Sequence, residues 1–250
     1  MSLCLRTSMA MVVLLLAVVA HAGDKDKAAS SAAQMVDAGS FGVFIRGQRV
    51  VSENFTVQQE NGASTIKAQL KETATTNLGG QSSELQLSKA GELVRYQWSQ
   101  AAPGTNSLVV TPKNEFLIED ITTSPSAKPA QQPFLMPSTT MIMDNNFFVH
   151  REVLVWRYLA ADCKSEGGGL KCQPGPVEFG VLVPQDHASL RVRMELVGPE
   201  KVTIRGAERQ LLRVNLSGDG FDWAMWVDGQ DQFKLMRVLI VADNTEVVRD

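Results

Sequence analysis

Apolar residues recur at every second position over most of this chain, and short turn-forming segments cut that alternation into runs. Side chains at i, i+2 and i+4 of an extended strand share one face, so each run has one side to bury and one to leave wet. Phe41, Val43 and Ile45 start the pattern, Arg46-Gly47-Gln48 turns the chain, and Val51, Glu53, Phe55 and Val57 resume it. Glu60-Asn61-Gly62 turns it again into Ile66, Ala68 and Leu70, whose opposite face is Lys67, Gln69 and Lys71. Further runs follow at Leu85 and Leu87, at Val94, Tyr96 and Trp98, at Leu108 to Val110, and at Phe116 and Ile118. Strands this short and this evenly spaced predict a mainly β fold, an antiparallel meander curled into a barrel or half-barrel.

The stretch from Thr122 to Ser138 breaks the rhythm. Pro125, Pro129, Pro133 and Pro137 exclude a central strand and leave an extended crossover. Beyond it Asp144 is placed to cap a helix, and Asn146 through Ala160 contains neither Gly nor Pro, which predicts one central helix over about 145–160. On that helix Phe147, Leu154 and Tyr158 form one stripe and Phe148, Val155 and Leu159 a second, while His150 and Arg157 fall on a polar edge. The β-branched Val153 and Val155 leave a strand as the alternative.

Alternation returns at Val177, Phe179, Val181 and Val183, then at Leu190, Val192, Met194 and Leu196. Gly198-Pro199 and Arg205-Gly206 read as turns, as do Ser217-Gly218-Asp219-Gly220 and Asp228-Gly229. Phe233 to Val241 is apolar on both faces and is expected to be covered on both. Trp223 and Trp226 are an odd number of positions apart, so a regular strand sends them to opposite faces.

Arg6, the apolar run from Met9 to Ala20, and Ala20-His21-Ala22 before Gly23 have the layout of a secretory signal peptide over residues 1–22. The apolar run is shorter than the roughly 20 residues a spanning helix needs, so no transmembrane anchor is expected after its removal. Residues 23–39 read as a flexible leader and 40–250 as a single β-rich domain, although the length suits two small domains as readily. Loss of residues 1–22 removes Arg6 and no acid, so the formal charge moves from −3 to −4. A mildly acidic chain argues against nucleic acid or an anionic membrane as the main partner. The expected location is periplasmic or secreted. There Cys163 and Cys172 would form a disulfide around a short loop, a link contributing roughly 2–3 kcal/mol. Their spacing is not that of a redox or zinc pair.

The curved meander, the helix set midway, the early Arg46-Gly47-Gln48 turn with Glu53-x-Phe55, and the late hairpin Trp226-Val227-Asp228 … Leu235-Met236-Arg237-Val238 resemble uncharacterised secreted bacterial half-barrel families, domains of unknown function. These are remotely similar in fold to the lipoprotein-carrier proteins of the bacterial envelope. The resemblance implies an open barrel and a helix enclosing an apolar cavity. It transfers no binding residue.

The sequence offers no catalytic residue set, no metal site and no cofactor motif. There is no Gly-x-Ser-x-Gly elbow, phosphate loop, dinucleotide fingerprint or His-Glu-x-x-His helix. His150 is expected on the exposed edge of the helix, and Gln185-Asp186-His187 in a turn rather than as a dyad. Phe147, Phe148, Val155, Trp156, Leu159 and Trp223 are the candidate ligand-binding residues, with core packing as the competing role for the aromatics. The first expectation is therefore a non-enzymatic envelope protein holding a lipid or other apolar ligand between curved sheet and helix. A structural or assembly factor binding another envelope protein is the second, and an enzyme whose histidines meet beside a buried carboxylate the third.

Overall fold

Arg46 and Gly47 both take positive φ, 51° and 79°, and so do Asn61-Gly62 and Arg205-Gly206. Two such residues in succession give a turn whose twist matches that of the strands it joins, which is why each pair closes a tight antiparallel hairpin. In the computed structural model, which describes residues 33–72, 80–101, 105–167 and 169–250, these and similar turns link seventeen strands and one helix. The first half comprises β1 (Gln34–Ile45), β2 (Gln48–Glu60), β3 (Ala63–Glu72), β4 (Gln81–Leu87), β5 (Leu93–Gln100), β6 (Asn106–Lys113), β7 (Phe116–Thr122), β8 (Ala130–Phe134) and β9 (Met141–Ile142). The helix α1 (Val149–Asp162) follows, then a small hairpin of β10 (Cys163–Glu166) and β11 (Gly169–Cys172). The second half comprises β12 (Val177–Val183), β13 (Ala188–Ile204), β14 (Ala207–Gly218), β15 (Phe221–Asp228), β16 (Lys234–Ile240) and β17 (Thr245–Arg249).

Fifteen strands form one sheet in the order β8-β7-β6-β5-β4-β3-β2-β1-β17-β16-β15-β14-β13-β12-β9. Each half of the chain is thus a meander, and β1 pairing with β17 joins the two at the middle of the sheet. Every ladder among the described residues is antiparallel except β9 on β12. The inward residues of both meanders and the buried side chains of α1 belong to one apolar cluster, so the sheet curls around the helix. Its ladder stays open between β8 and β9. Side chains bridge that seam: Gln132 Nε2 donates to the His187 carbonyl at 3.2 Å, and His187 Nδ1 meets Glu119 of β7 at 2.7 Å.

The mainly β barrel-like fold with one central helix is as expected, and so is the Cys163–Cys172 disulfide. Several boundaries differ. The sheet begins at Gln34 rather than near Ser40, because Asp37 is tied to Arg249 and the strand before Ser40 pairs with Phe55 to Gln59. The expected signal peptide and residues 23–32 of the expected leader lie outside the described residues. The helix runs from Val149 to Asp162, not 145–160; Asp144 Oδ1 accepts the Asn146 and Phe147 N–H groups and shapes the bend before it. Gly198-Pro199 is a bulge inside the long β13, where the register with β14 shifts, rather than a turn. Pro133 sits in β8, an edge strand, where its missing N–H costs no ladder bond. In β16 only Leu235 and Val238 are fully buried, three positions apart because a bulge against Trp226 and Val227 interrupts the period of two.

Trp223 and Trp226 do face opposite sides. Trp223 packs at the border of the main core, whereas Trp226 is buried on the outer face with Val202, Ile204, Leu211 and Val248. The Arg237 guanidinium covers it, 4.9 Å from the ring centroid, and its Nε1 donates to Glu200 at 3.1 Å.

Candidate functional site

Glu53 occupies an inward position of β2 that the alternation would give to an apolar residue. Its carboxylate oxygens accept the N–H groups of Phe148 at 2.6 Å and Val149 at 3.0 Å. These are donors that the first turn of a helix leaves without intrahelical acceptors, so a residue remote in sequence caps α1. Burial pushes the Glu53 carboxyl up to about 8, against the pull of those two donors and of Arg151.

The first two turns of α1 are buried on every side, polar residues included. Arg151 turns its guanidinium back to the carbonyl oxygens of Phe147, at 2.8 Å, and Asp144, and lies 5.0 Å and 5.1 Å from the centroids of the Phe148 and Trp223 rings. Burial brings its pKa down to about 10, with Asp144 and Glu53 opposing. Asp144 Oδ2 accepts from the Tyr96 hydroxyl and from Gln185 Nε2 at 2.8 Å. His150 corrects the expectation of an exposed position: it is 1% exposed, 3.3 Å from Ser83 Oγ and edge-on to Tyr96. Burial pushes the imidazole down to about 4, the Asp144 carboxylate opposing and Arg151 adding to the effect. Glu152 accepts the Leu235 N–H at 2.6 Å and a bond from Arg249 at 3.2 Å, and Arg249 also donates to both Asp37 oxygens at 2.6 Å and 2.8 Å. Burial and the adjacent Asp37 raise Glu152 well above the usual carboxylate range.

This set presents no reacting group to solvent. What it does chemically is hold the start of the helix in one position, since displacing any member strands a buried polar partner.

The other end of α1 is open. A groove of about 610 Å³ is walled by Leu170 and Ser165 of the disulfide-bonded hairpin, by Leu196, Pro199 and Leu212, and by Phe233. A second, of about 380 Å³, lies between α1 and the β2–β4 wall, with Val57, Ile66, Leu87, Met141, Val153 and Trp156 as its apolar surface. Trp156 Nε1 donates to the Phe233 carbonyl at 3.1 Å, which ties a wall of one groove to a wall of the other.

Of the six candidate ligand residues, Trp156 walls a groove. Phe147, Phe148, Val155 and Leu159 are buried in the core, and the half-buried Trp223 lies against Arg151 and Phe221. The structure therefore does not bring the six together as one lining. Leu170, Leu212 and Phe233 were not singled out beforehand as binding residues, because nothing in local periodicity distinguishes a groove wall from core.

His187 does sit in a turn, after the 3₁₀ segment Pro184–Asp186, and its partner is the buried Glu119 rather than the adjacent Asp186. Burial raises the Glu119 carboxyl while His187 pulls it down. The half-exposed His187 imidazole lines a cavity of about 230 Å³ with Trp98, Leu108 and Ile121, while His150 lies in the closed cluster; the two histidines do not share a cleft. Among the described residues no group of three or more His, Cys, Asp or Glu side chains is placed to hold a metal ion, and no helix is long and apolar enough to cross a membrane.

No protein-family model matches the sequence, and no curated protein matches it. Among solved structures the chain is similar to a beta-barrel-like protein of domain of unknown function DUF1849 from Brucella abortus, at 7% identity and a TM-score of 0.49, over 85% of this chain and 94% of that one.

Proposed function

We propose that the protein is an exported, non-enzymatic envelope protein that holds an apolar ligand, a lipid or acyl chain, in the groove between α1 and the β2–β4 wall. The observation that supports this reading is the groove itself: about 380 Å³, walled by aliphatic side chains and Trp156, beside an otherwise closed core. That volume falls within the range of small-molecule sites. The same curled sheet that buries the first half of the helix leaves its second half partly uncovered, so a site exists without opening the core. The export route follows from the signal-like start of the sequence.

Ala160 lines this groove and is exposed on the last turns of the helix, so Ala160→Phe fills the space without touching the core. Protein purified from its own host is expected to carry a near-stoichiometric lipid in native mass spectrometry. Occupancy in the variant should fall at least ten-fold while its free energy of unfolding changes by less than about 1 kcal/mol. Ligand-free protein from the host, or equal occupancy in the variant, would remove the proposal.

A further inference from the structure

The groove has polar residues as well as an apolar wall. Among the described residues Lys89 and Arg157 line it, and neither Asp nor Glu does. The chain as a whole has more acidic than basic residues, 27 against 24. A cationic lining therefore stands against the average of the surface. Both cations lie against glycine turns. A Cβ on Gly62 would come within 2.8 Å of the Lys89 stem, and one on Gly91 within 2.6 Å of the Arg157 guanidinium, so the absence of a side chain at both turns lets the cations lie close to the sheet. Arg157 Nη1 donates to the Ala90 carbonyl at 2.8 Å, which fixes the guanidinium beside the β4–β5 turn. Among the described residues neither Lys89 nor Arg157 makes an ion pair, whereas Arg249, Arg237 and Lys234 all do. Charge left without a protein partner at the mouth of an apolar groove is complementary to a ligand with an oily tail and a negative head.

We infer that the occupant of this groove is a single-chain amphiphile with an anionic head group, its tail against Val57, Ile66, Leu87 and Trp156 and its head between Lys89 and Arg157. This inference rests on the proposed function and goes beyond it in naming the head-group chemistry. A carboxylate or a monoacyl phosphate satisfies it equally, since both present oxygen acceptors to an ammonium and a guanidinium. A neutral alcohol or glycerol ester does not.

The test compares three probes of equal chain length, decanoate, decyl phosphate and decanol, by isothermal titration calorimetry on the full mature chain at low and high salt. Both anionic probes should bind about five- to ten-fold more tightly than decanol, the gain expected from two partly exposed ion pairs, and high salt should erode that preference. The relative affinity of decanoate and decyl phosphate distinguishes the two kinds of head group. Lys89→Glu, a change at an exposed position, should remove most of the preference and leave decanol affinity within two-fold. Arg157→Gln should do the same. Equal affinities for all three probes, or a preference unchanged in Lys89→Glu, overturn the head-group assignment while leaving the groove as a binding site. Absence of binding by any probe overturns the groove reading itself.

Discussion

At its first turns α1 is gripped by Glu53, Asp144, Tyr96, Gln185 and Arg249, all drawn from strands or turns around it, and no polar side chain there points to water. At its last turns the same helix borders one groove and is tied to the wall of a second by the hydrogen bond from Trp156 Nε1 to the Phe233 carbonyl. One barrel thus treats the two ends of one helix differently. Buried polar bonds are directional and costly to leave unmade, so they fix position; apolar surface is tolerant of what covers it, so it can be left for a ligand. A chain that packed both ends with aliphatic side chains would hold its helix less uniquely, and one that locked both ends would have no place for a guest.

That contrast breaks most severely at the capped end. Glu53→Ala leaves the Phe148 and Val149 N–H groups without acceptors and removes a carboxyl facing Arg151, and is expected to cost about 3–5 kcal/mol in urea unfolding. Replacement by a residue at the open end, such as Ala160→Phe, should cost far less, and equal losses would abolish the distinction. Next in size is the disulfide. Changing Cys163 and Cys172 together to Ala should lower stability by about 2–3 kcal/mol through the freed loop. The same change should loosen the hairpin carrying Ser165 and Leu170, so that hydrogen exchange rises around the larger groove but not around Glu53.

The smallest effect is in pH dependence. His150 has a folded-state pKa of about 4 against an ordinary 6.5, so it favours the folded state fully above 6.5, and that contribution is lost as pH falls through about 4. Glu53, raised to about 8 from 4.5, acts in the opposite sense: its contribution is fully present below 4.5 and is lost as pH rises through about 8. His150→Gln should therefore unfold less steeply than the natural chain between pH 6.5 and 4, while both lose stability in parallel between pH 6.5 and 8. Superimposable pH profiles across the acid range would place His150 outside the closed cluster.

The strands were legible because each is a local pattern. Phe41, Val43 and the alternating set at Val51 to Val57 name their own inward face, and Arg46-Gly47 and Asn61-Gly62 name their turns. The disulfide was legible from two cysteines and a short loop. Periodicity failed where polar residues took inward positions. Alternation put Glu53 in the inward run of β2 without indicating what its carboxyl would meet there, gave no signal for Glu119, and set His150 on the exposed edge of an amphipathic helix, although all three are buried. Trp156 was the member of the candidate set that walls a groove, while Lys89 and Arg157 carried no binding signal, since an isolated Lys in a turn and an Arg on a helix are ordinary surface residues until the fold sets both on one groove.

Sequence alone determined most of the strands, the tight turns such as Arg46-Gly47 and Asn61-Gly62, and which two cysteines join, because those choices depend on neighbours a few positions apart; the start of β1, the edge strand β8 and the bulge at Gly198-Pro199 depend on partners remote in sequence. Tertiary structure decided that the sheet curls around α1, that a carboxylate from β2 caps a helix almost a hundred residues away, and that an apolar groove opens at the other end. The physical reason is that burial is a property of the assembled surface: a side chain's dielectric surroundings and partners are set by whichever strands close over it, and no local period encodes them.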